Sequence, residues 1–145
     1  MADRKDPFTN FNFMVELDGL TRAGFKEASG LDSTVQTADY REGTDPGNIA
    51  RKLPGQRQAS TITLRRGLTD DRALWDWHAK AMAGNVERHT ISIILRDVAG
   101  AEQIRWTIKN AWPTKWTGPT LDASANDVSI EALELAHEGL EVQKW

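Results

Sequence analysis

Apolar residues recur at every second position in several short segments of this chain, and this alternation constrains the fold more than any other feature. In residues 10–17 the apolar side chains fall on one face, namely Phe11, Phe13, Val15 and Leu17. A period of two is typical of a β-strand with one buried face. Similar patterns predict strands over residues 22–28, 33–40, 60–66, 88–96, 102–112 and 127–137. We therefore predict a mainly β chain, compatible with a sandwich or a small barrel.

Two of the predicted strands have sequence features that predict an end or an irregularity. Pro113 follows residues 102–112 and is expected to end that strand, because proline cannot donate a ladder hydrogen bond. In residues 127–137 the apolar positions switch from even to odd numbers after Ala132. Such a switch predicts a bulge or burial on both faces.

One segment has helical spacing instead. Its apolar side chains fall at i, i+3, i+4, i+7 and i+8, which is one face of a helix: Leu74, Trp77, His78, Ala81 and Met82. Thr69 or Asp70 is the predicted N-cap, and Gly84 stands where a C-terminal glycine belongs. Trp77 is predicted to be core. Trp75 lies about 200° away from Trp77 around the helix. Its side chain is expected to face solvent, another segment or a neighbouring subunit.

Residues 40–58 contain turn-forming residues and almost no periodicity. Gly43, Pro46, Gly47 and the Pro54–Gly55 pair all lie there, so we predict a long connection without regular structure. Such loops are uncommon in small domains, and they are usually functional or mobile. The strand before it, residues 33–40, is polar on both faces. It is expected to form a surface edge or to line a water-filled space.

Composition excludes several classes of protein. A length of 145 residues suits one domain, residues 1–145. The chain lacks cysteine, so disulfides and thiolate chemistry are excluded. A net charge of −3 with both signs dispersed gives no basis for sequence-specific nucleic-acid binding. No apolar run approaches about 20 residues, so we expect no membrane segment.

Motifs for catalysis are lacking as well. The three histidines, His78, His89 and His137, have no spacing suited to metal ligands and are expected to be structural. The chain has neither a glycine-rich phosphate loop nor a serine nucleophile elbow. Asp70 and Asp71 lie at a helix start, where capping explains them. We therefore expect no cofactor, no metal and no enzymatic activity.

Several runs together resemble the tube protein of contractile phage tails, and most closely the inner-tube proteins of extracellular contractile injection systems. Two of these runs are Tyr40-Arg41-Glu42-Gly43 and Arg51-Lys52-Leu53-Pro54-Gly55. The others are residues 62–68 with the tryptophan-containing helix after them, residues 134–140, and Asp6-Pro7-Phe8 leading into Phe11-Asn12-Phe13. The resemblance covers essentially the whole chain in order.

The resemblance implies a definite architecture and role. Two packed antiparallel sheets form a barrel-like core with the helix against its flank, and four strands per subunit join a continuous inner β-barrel in a hexameric ring. Rings stack into a hollow tube that conducts cargo or DNA and is driven through the target envelope when the sheath contracts. The implied partners are copies of itself, the sheath protein, baseplate or spike and terminal cap proteins, and cargo in the lumen. Assembly is expected in the bacterial cytoplasm, as part of a phage tail or a released extracellular particle.

Two sets of residues are assigned to assembly. Open sheet edges invite pairing with other copies, and ring closure would turn a polar sheet face toward a lumen. The lumen candidates are Thr34, Gln36, Ala38, Thr90, Ser92, Arg105, Thr107 and Lys109. Because the resemblance implies that the 40–58 segment reaches the adjacent ring, the contact candidates are Tyr40, Arg41, Glu42, Asp45, Arg51, Lys52 and Arg57. A baseplate tube-initiator paralogue and a ring-forming secretion-system tube protein stay open as alternatives.

Overall fold

The computed structural model describes residues 6–10, 12–18, 21–43, 47 and 49–145, with backbone alone for residues 21–23. This part of the chain contains ten strands and one helix, which confirms the predicted mainly β class. The elements are β1 (Phe13–Leu17), β2 (Thr21–Ala23), β3 (Glu27–Ser29), β4 (Ser33–Tyr40), β5 (Arg51–Ala59), β6 (Ile62–Gly67), α1 (Ala73–Met82), β7 (His89–Arg96), β8 (Glu102–Thr117), β9 (Ile130–Ala136) and β10 (Gly139–Lys144).

Eight strands pair into two antiparallel layers that share β8. The hydrogen-bonded order is β2-β1-β7-β8-β9-β6-β3, and β10 also pairs with β8. Residues 102–111 of β8 pair with β7, while residues 112–117 pair with β9, so this 16-residue strand passes from one layer into the other. Asn110 has a φ of 53° at the crossing. Among the described strands the layers do not close into a barrel, because β2, β3 and β10 each pair on one side alone.

The core lies between the layers and is sealed at one flank by α1. Ile62, Leu64, Ile108 and Leu133 are fully buried there. The helix contributes Leu74 and Trp77, and the Nε1–H of Trp77 donates to the carbonyl of Glu87 at 2.8 Å. Trp77 is therefore core, as predicted.

The helix ends as its sequence predicts but begins later. Gly84 has a φ of 87° and donates to the Ala81 carbonyl, while Asn85 donates to the Lys80 carbonyl, which is the Schellman pattern. Neither Thr69 nor Asp70 is the N-cap, because the first helical residue is Ala73. The Asp71 carboxylate accepts the N–H of Ala73 at 2.9 Å instead. Met82, predicted on the buried face, is 61% exposed because it lies in the last turn.

Three predicted strands have different limits. Residues 22–28 form two short strands, since β2 ends at Ala23 and β3 begins at Glu27. Pro113 does not end β8; it is buried within the strand, where the pairing with β9 shifts register between Pro113 and Lys115. A bulge accommodates the missing N–H of proline. The strand predicted over residues 127–137 is the shorter β9, for which a bulge or burial on both faces was predicted. The strand β10 was missed.

The predicted irregular connection over residues 40–58 is wrong for its second part, residues 51–58. Residues 51–59 form β5, which pairs with β4 in a separate two-stranded hairpin, and the connection between the strands covers residues 41–50 alone. The Pro54–Gly55 pair lies at a register shift opposite Gln36, and a Cβ on Gly55 would approach the Gln36 carbonyl to 2.9 Å. These turn-forming residues therefore mark a bulge in a strand. We call the β4–β5 hairpin, residues 33–59, the arm.

Candidate functional site

The layer formed by β2, β1, β7, β8 and β10 presents a polar face on its outer side, to which β1, β7, β8 and β10 contribute. Register places Glu16 on β1 beside Ser92 on β7, Ser92 beside Thr107 on β8, and Thr107 beside Glu141 on β10. On β1, β7 and β8 these side chains point away from the core, because neighbours such as Val15, Ile91 and Ile108 are buried inside it. We call this surface the polar face.

Ion pairs connect side chains on the strands of the polar face. The Lys109 ammonium lies 2.8 Å from Glu141, and this hydrogen bond lowers the pKa of the Glu141 carboxyl. Arg105 contacts Glu102 at 2.8 Å and Glu16 at 3.9 Å. Lys144 approaches Glu102 to 3.8 Å. Three acidic and three basic side chains of this face therefore compensate one another.

Five of the predicted lumen residues come together on the polar face. Ser92 and Thr107 are paired neighbours, Arg105 and Lys109 flank Thr107 on β8, and Thr90 lies on the same side of β7 as Ser92. The alternation also puts Ile94 on this face, where it is buried between its register neighbours Met14 and Arg105. The other three lumen candidates, Thr34, Gln36 and Ala38, lie on the arm instead, in a separate sheet.

The arm is exposed along both of its strands. Every residue of β4 and of β5 is solvent-exposed, and neither strand pairs with the main layers. One of its faces carries Ala38 beside Leu53 and Tyr40 beside Arg51, with Tyr40 and Leu53 each 44% exposed. A lone two-stranded ribbon is marginally stable in water. The arm therefore presents an apolar strip that its own chain leaves uncovered.

Six of the seven predicted inter-ring residues lie in the described part of the arm. Tyr40, Arg51, Lys52 and Arg57 belong to its strands. In the connection, Glu42 accepts a hydrogen bond from the Tyr40 hydroxyl at 2.9 Å, and Arg41 donates to the Gly47 carbonyl at 2.8 Å. Lys52 pairs with Asp39 on the face opposite Tyr40. Asp45, also predicted here, lies outside the described residues.

The open edge of β10 is a feature that sequence reasoning missed. β10 pairs with β8 along one side and carries the exposed Val142, and the 86% exposed Trp145 follows its last residue. Alternation of Leu140 and Val142 was the available signal, but the run is short and flanked by charged residues. Edges of this kind are templates for pairing with another chain.

No cluster of three or more metal-ligating side chains was found in the described part of the chain. Of the helices in that part, none has the length and apolar character needed to cross a bilayer.

Residues 9–141 match the family described as T4-like virus tail tube protein gp19. No match was found among curated proteins.

Solved structures give close matches in fold. A chain of the PVC sheath-tube complex of an extracellular contractile injection system, in its extended state, is 33% identical with a TM-score of 0.86, covering 96% of this chain and 93% of that one. A chain of the anti-feeding prophage cap (AFP tube terminating cap) is also 33% identical, with a TM-score of 0.90 and coverage of 100% and 96%. Hcp1 from Flavobacterium johnsoniae shares the fold alone, at 13% identity, a TM-score of 0.58 and coverage of 92% and 95%.

Proposed function

Because this chain belongs to the T4-like virus tail tube protein gp19 family, we propose that it is the structural subunit of the inner tube of a contractile injection system or phage tail. Copies of the chain form hexameric rings, and the rings stack into a hollow tube. The tube conducts cargo or DNA and is driven through the target envelope when the sheath contracts.

The observation that carries this proposal is the polar-faced sheet that ends in unpaired strands. β2 and β10 lie at opposite ends of the β2-β1-β7-β8-β10 layer. Edge-to-edge closure of six copies satisfies their backbone groups and turns the polar face toward a lumen. A heterologous contact that closes in this way produces a ring.

The arm supplies the contact between rings in this proposal. Its exposed strip of Ala38, Tyr40 and Leu53 needs a cover that its own chain does not provide. The charged candidates Arg41, Glu42, Asp45, Arg51, Lys52 and Arg57 surround that strip in sequence. Charge pairs at the rim of an interface set register and specificity more than affinity.

Partners follow from what the similar structures contain. One is a sheath-tube complex and another is a tube terminating cap. We therefore expect this tube to be surrounded by a sheath protein, to start on a baseplate with its spike, to end at a cap, and to hold cargo in its lumen. Assembly takes place in the bacterial cytoplasm before the particle is released, and the protein acts without enzymatic activity.

Two related roles are distinguished by how the isolated protein assembles. A baseplate tube-initiator paralogue would cap the spike and would not polymerise. A ring-forming secretion-system protein would give rings that do not stack firmly; Hcp1 supports that alternative through fold alone. Long tubes formed by the isolated protein exclude both.

Negative-stain electron microscopy of the purified chain tests the proposal. We expect long hollow tubes from the unmodified chain. A variant lacking residues 45–56 loses most of β5, and it should give soluble protein or single rings without long tubes. Tubes of normal length from this variant would refute the stacking role of the arm, and an unmodified chain that never forms rings would refute the tube assignment itself.

A further inference from the structure

An apolar groove opens at one end of the core, between the layer that bears the polar face and the edge strand β3. It has a volume of about 640 Å³, and most of its lining is apolar: Phe13, Phe25, Leu31, Ile93, Leu95 and Trp106. Three of these side chains, one on β1, one on β8 and one just before the arm, pack against the core but are only partly buried. An apolar surface with an exposed polar rim is typical of an interaction site, and the rim here consists of Asn10, Lys26 and Glu27.

The backbone beside the groove is open as well. Among the described strands β3 pairs with β6 alone, so its other edge has no ladder partner. Glu27 and Ala28 of β3 both line the groove. A strand that joined this edge would satisfy its backbone groups and lay one row of side chains over the groove. The fitting occupant is therefore an extended segment with apolar side chains on one face.

The arm is an extended segment of this kind, but it does not fill the groove of its own copy. In the described part of the chain, none of residues 33–59 lines the groove, whereas Leu31 at the foot of the arm does. The apolar strip begins at Ala38, which is about 17 Å along the extended β4 from Ser33 at about 3.3 Å per residue. The strip and the groove are therefore both uncovered in a single copy.

We propose that the groove receives the apolar strip from the arm of a second copy, which lies in the adjacent ring. The placement in the adjacent ring rests on the proposed function, whereas the contact itself rests on the fit between strip and groove. Tyr40 and Leu53 enter the groove, and a strand of the arm lies along the open edge of β3. Because strip and groove are different surfaces, the contact is heterologous and repeats from ring to ring instead of closing on itself.

The small size of this contact means that it acts between whole rings. An aromatic side chain buries about 150–250 Å², so the strip covers roughly a few hundred Å². This area is well below the roughly 1,000 Å² of a stable interface. Six such contacts between two hexameric rings act together, and their combined affinity exceeds that of one contact by far. Unassembled copies should therefore stay apart while rings stack.

Cysteine cross-linking of assembled tubes tests the contact, because the unmodified chain contains no cysteine. The variant Leu31→Cys/Leu53→Cys places one thiol in the groove and one on the strip. Within a copy the two thiols are too far apart to bond, since Leu53 pairs with Ala38 and a disulfide needs Cα atoms within about 7 Å. Mild oxidation should therefore link neighbouring copies into a ladder of dimers, trimers and longer chains on a non-reducing gel.

Matched variants show whether the ladder is specific. The single variants Leu31→Cys and Leu53→Cys should each remain monomeric on the gel, because a ladder needs both thiols. In Leu31→Cys/Lys52→Cys the second thiol lies on the opposite face of the arm, so its ladder should be at least about tenfold weaker. The variant Ala28→Cys/Leu53→Cys keeps Leu31 in place and should give the same ladder, so that a folding defect at position 31 does not decide the test.

The gel and electron micrographs together separate this contact from the tube itself. Tubes that form without a ladder in either groove-to-strip variant would overturn the inference and leave the proposed function standing. An equal ladder with Lys52→Cys, or dimers from Leu31→Cys alone, would also overturn it, because the strip would then not be the occupant of the groove. A ladder without tubes would support the contact and contradict the proposed tube, and the absence of both would overturn both.

Discussion

The Nε of Arg66 lies 3.6 Å from the carboxylate of Glu131 where both side chains are almost fully buried, at 4% and 3% exposure. The same guanidinium donates to the side chain and the backbone carbonyl of Asp71, each at 3.1 Å. Glu131 also accepts the Nε1–H of Trp116 at 3.3 Å. This network ties β6, β9 and β8 to the segment that starts α1.

Replacing Glu131 by leucine should lower the free energy of unfolding by about 3 kcal/mol, because Arg66 is left as a buried charge with one partner fewer. Urea unfolding of the soluble protein measures the change. Asp76→Ala is the control, because it breaks an exposed pair with Arg72 and should cost less than about 0.5 kcal/mol. Equal losses from the two variants would contradict a special role for the buried pair.

The burial of Arg66 and Glu131 could not be predicted from the sequence pattern. The switch of apolar positions in residues 127–137 predicted a bulge or burial on both faces of β9, and the adjacent residues Ala132 and Leu133, which point to opposite faces, are both buried. Arg66 and Glu131 face one another in register. Arginine and glutamate are usually exposed unless they are paired, so the sequence alone predicts that both side chains lie at the surface. Alternation finds the apolar core, whereas a compensated buried charge depends on a contact 65 positions away in the chain.

A double-mutant cycle on Trp75 and Trp116 should give a coupling of about 0.5–1.5 kcal/mol in unfolding free energy. Their rings meet edge to face with centroids 5.0 Å apart, so Trp75 contacts another segment of its own chain. The single variants Trp75→Leu and Trp116→Leu and the double variant are compared by urea unfolding. The lost hydrogen bond from Trp116 to Glu131 cancels in the cycle, and additive losses would contradict the ring contact.

Proline and glycine explain why the arm was misread. They indicate loops when they stand between periodic segments, and residues 40–58 contain five of them. Pro54 and Gly55 instead occupy a register shift inside the arm, and Pro113 occupies a similar shift in β8. The strand pairings that absorb these residues are long-range, so local sequence carried no sign of them. The polar face, in contrast, followed directly from alternation along β7 and β8.

Acid should weaken the β7–β8 turn through Asp97. The Ala101 N–H, then those of Ala99 and Gly100 and the Gln103 amide, lower the pKa of this carboxyl below 3.8, outweighing the effect of desolvation. A lowered pKa stabilises the folded state above the ordinary value, and that contribution is lost as pH falls below it. Asp97→Asn should therefore flatten the pH dependence of unfolding below about pH 4.

Urea unfolding at several acidic pH values measures this dependence. Asp127→Asn serves as the control, because Asp127 is exposed in a loop. Its pH profile should match that of the unmodified chain. An Asp97→Asn profile as steep as the unmodified one would contradict the prediction.

The apolar strip of the arm should matter for tubes and not for the fold of the single chain. Replacing both Tyr40 and Leu53 by serine removes apolar side-chain atoms that are already largely exposed to solvent. The unfolding free energy of unassembled protein should therefore change by less than about 0.5 kcal/mol. Tube yield in electron micrographs should fall to background. Leu121→Ser makes the same kind of change at an exposed position outside the arm. Loss of tubes in that control as well would show that the effect is not specific to the arm.

A single cysteine on the polar face should become shielded when tubes form. The sequence contains no cysteine, so Thr107→Cys introduces the one thiol of the chain. Thr107 lies mid-sheet, paired with Ser92 and Glu141, and in the proposed tube it faces the lumen. A maleimide on a polymer too wide for the bore should modify dissociated protein and spare assembled tubes, whereas a small maleimide should modify both, because water fills the lumen. Modification of assembled tubes by the wide reagent at the dissociated rate would place Thr107 on the outer wall and overturn the assignment of the polar face.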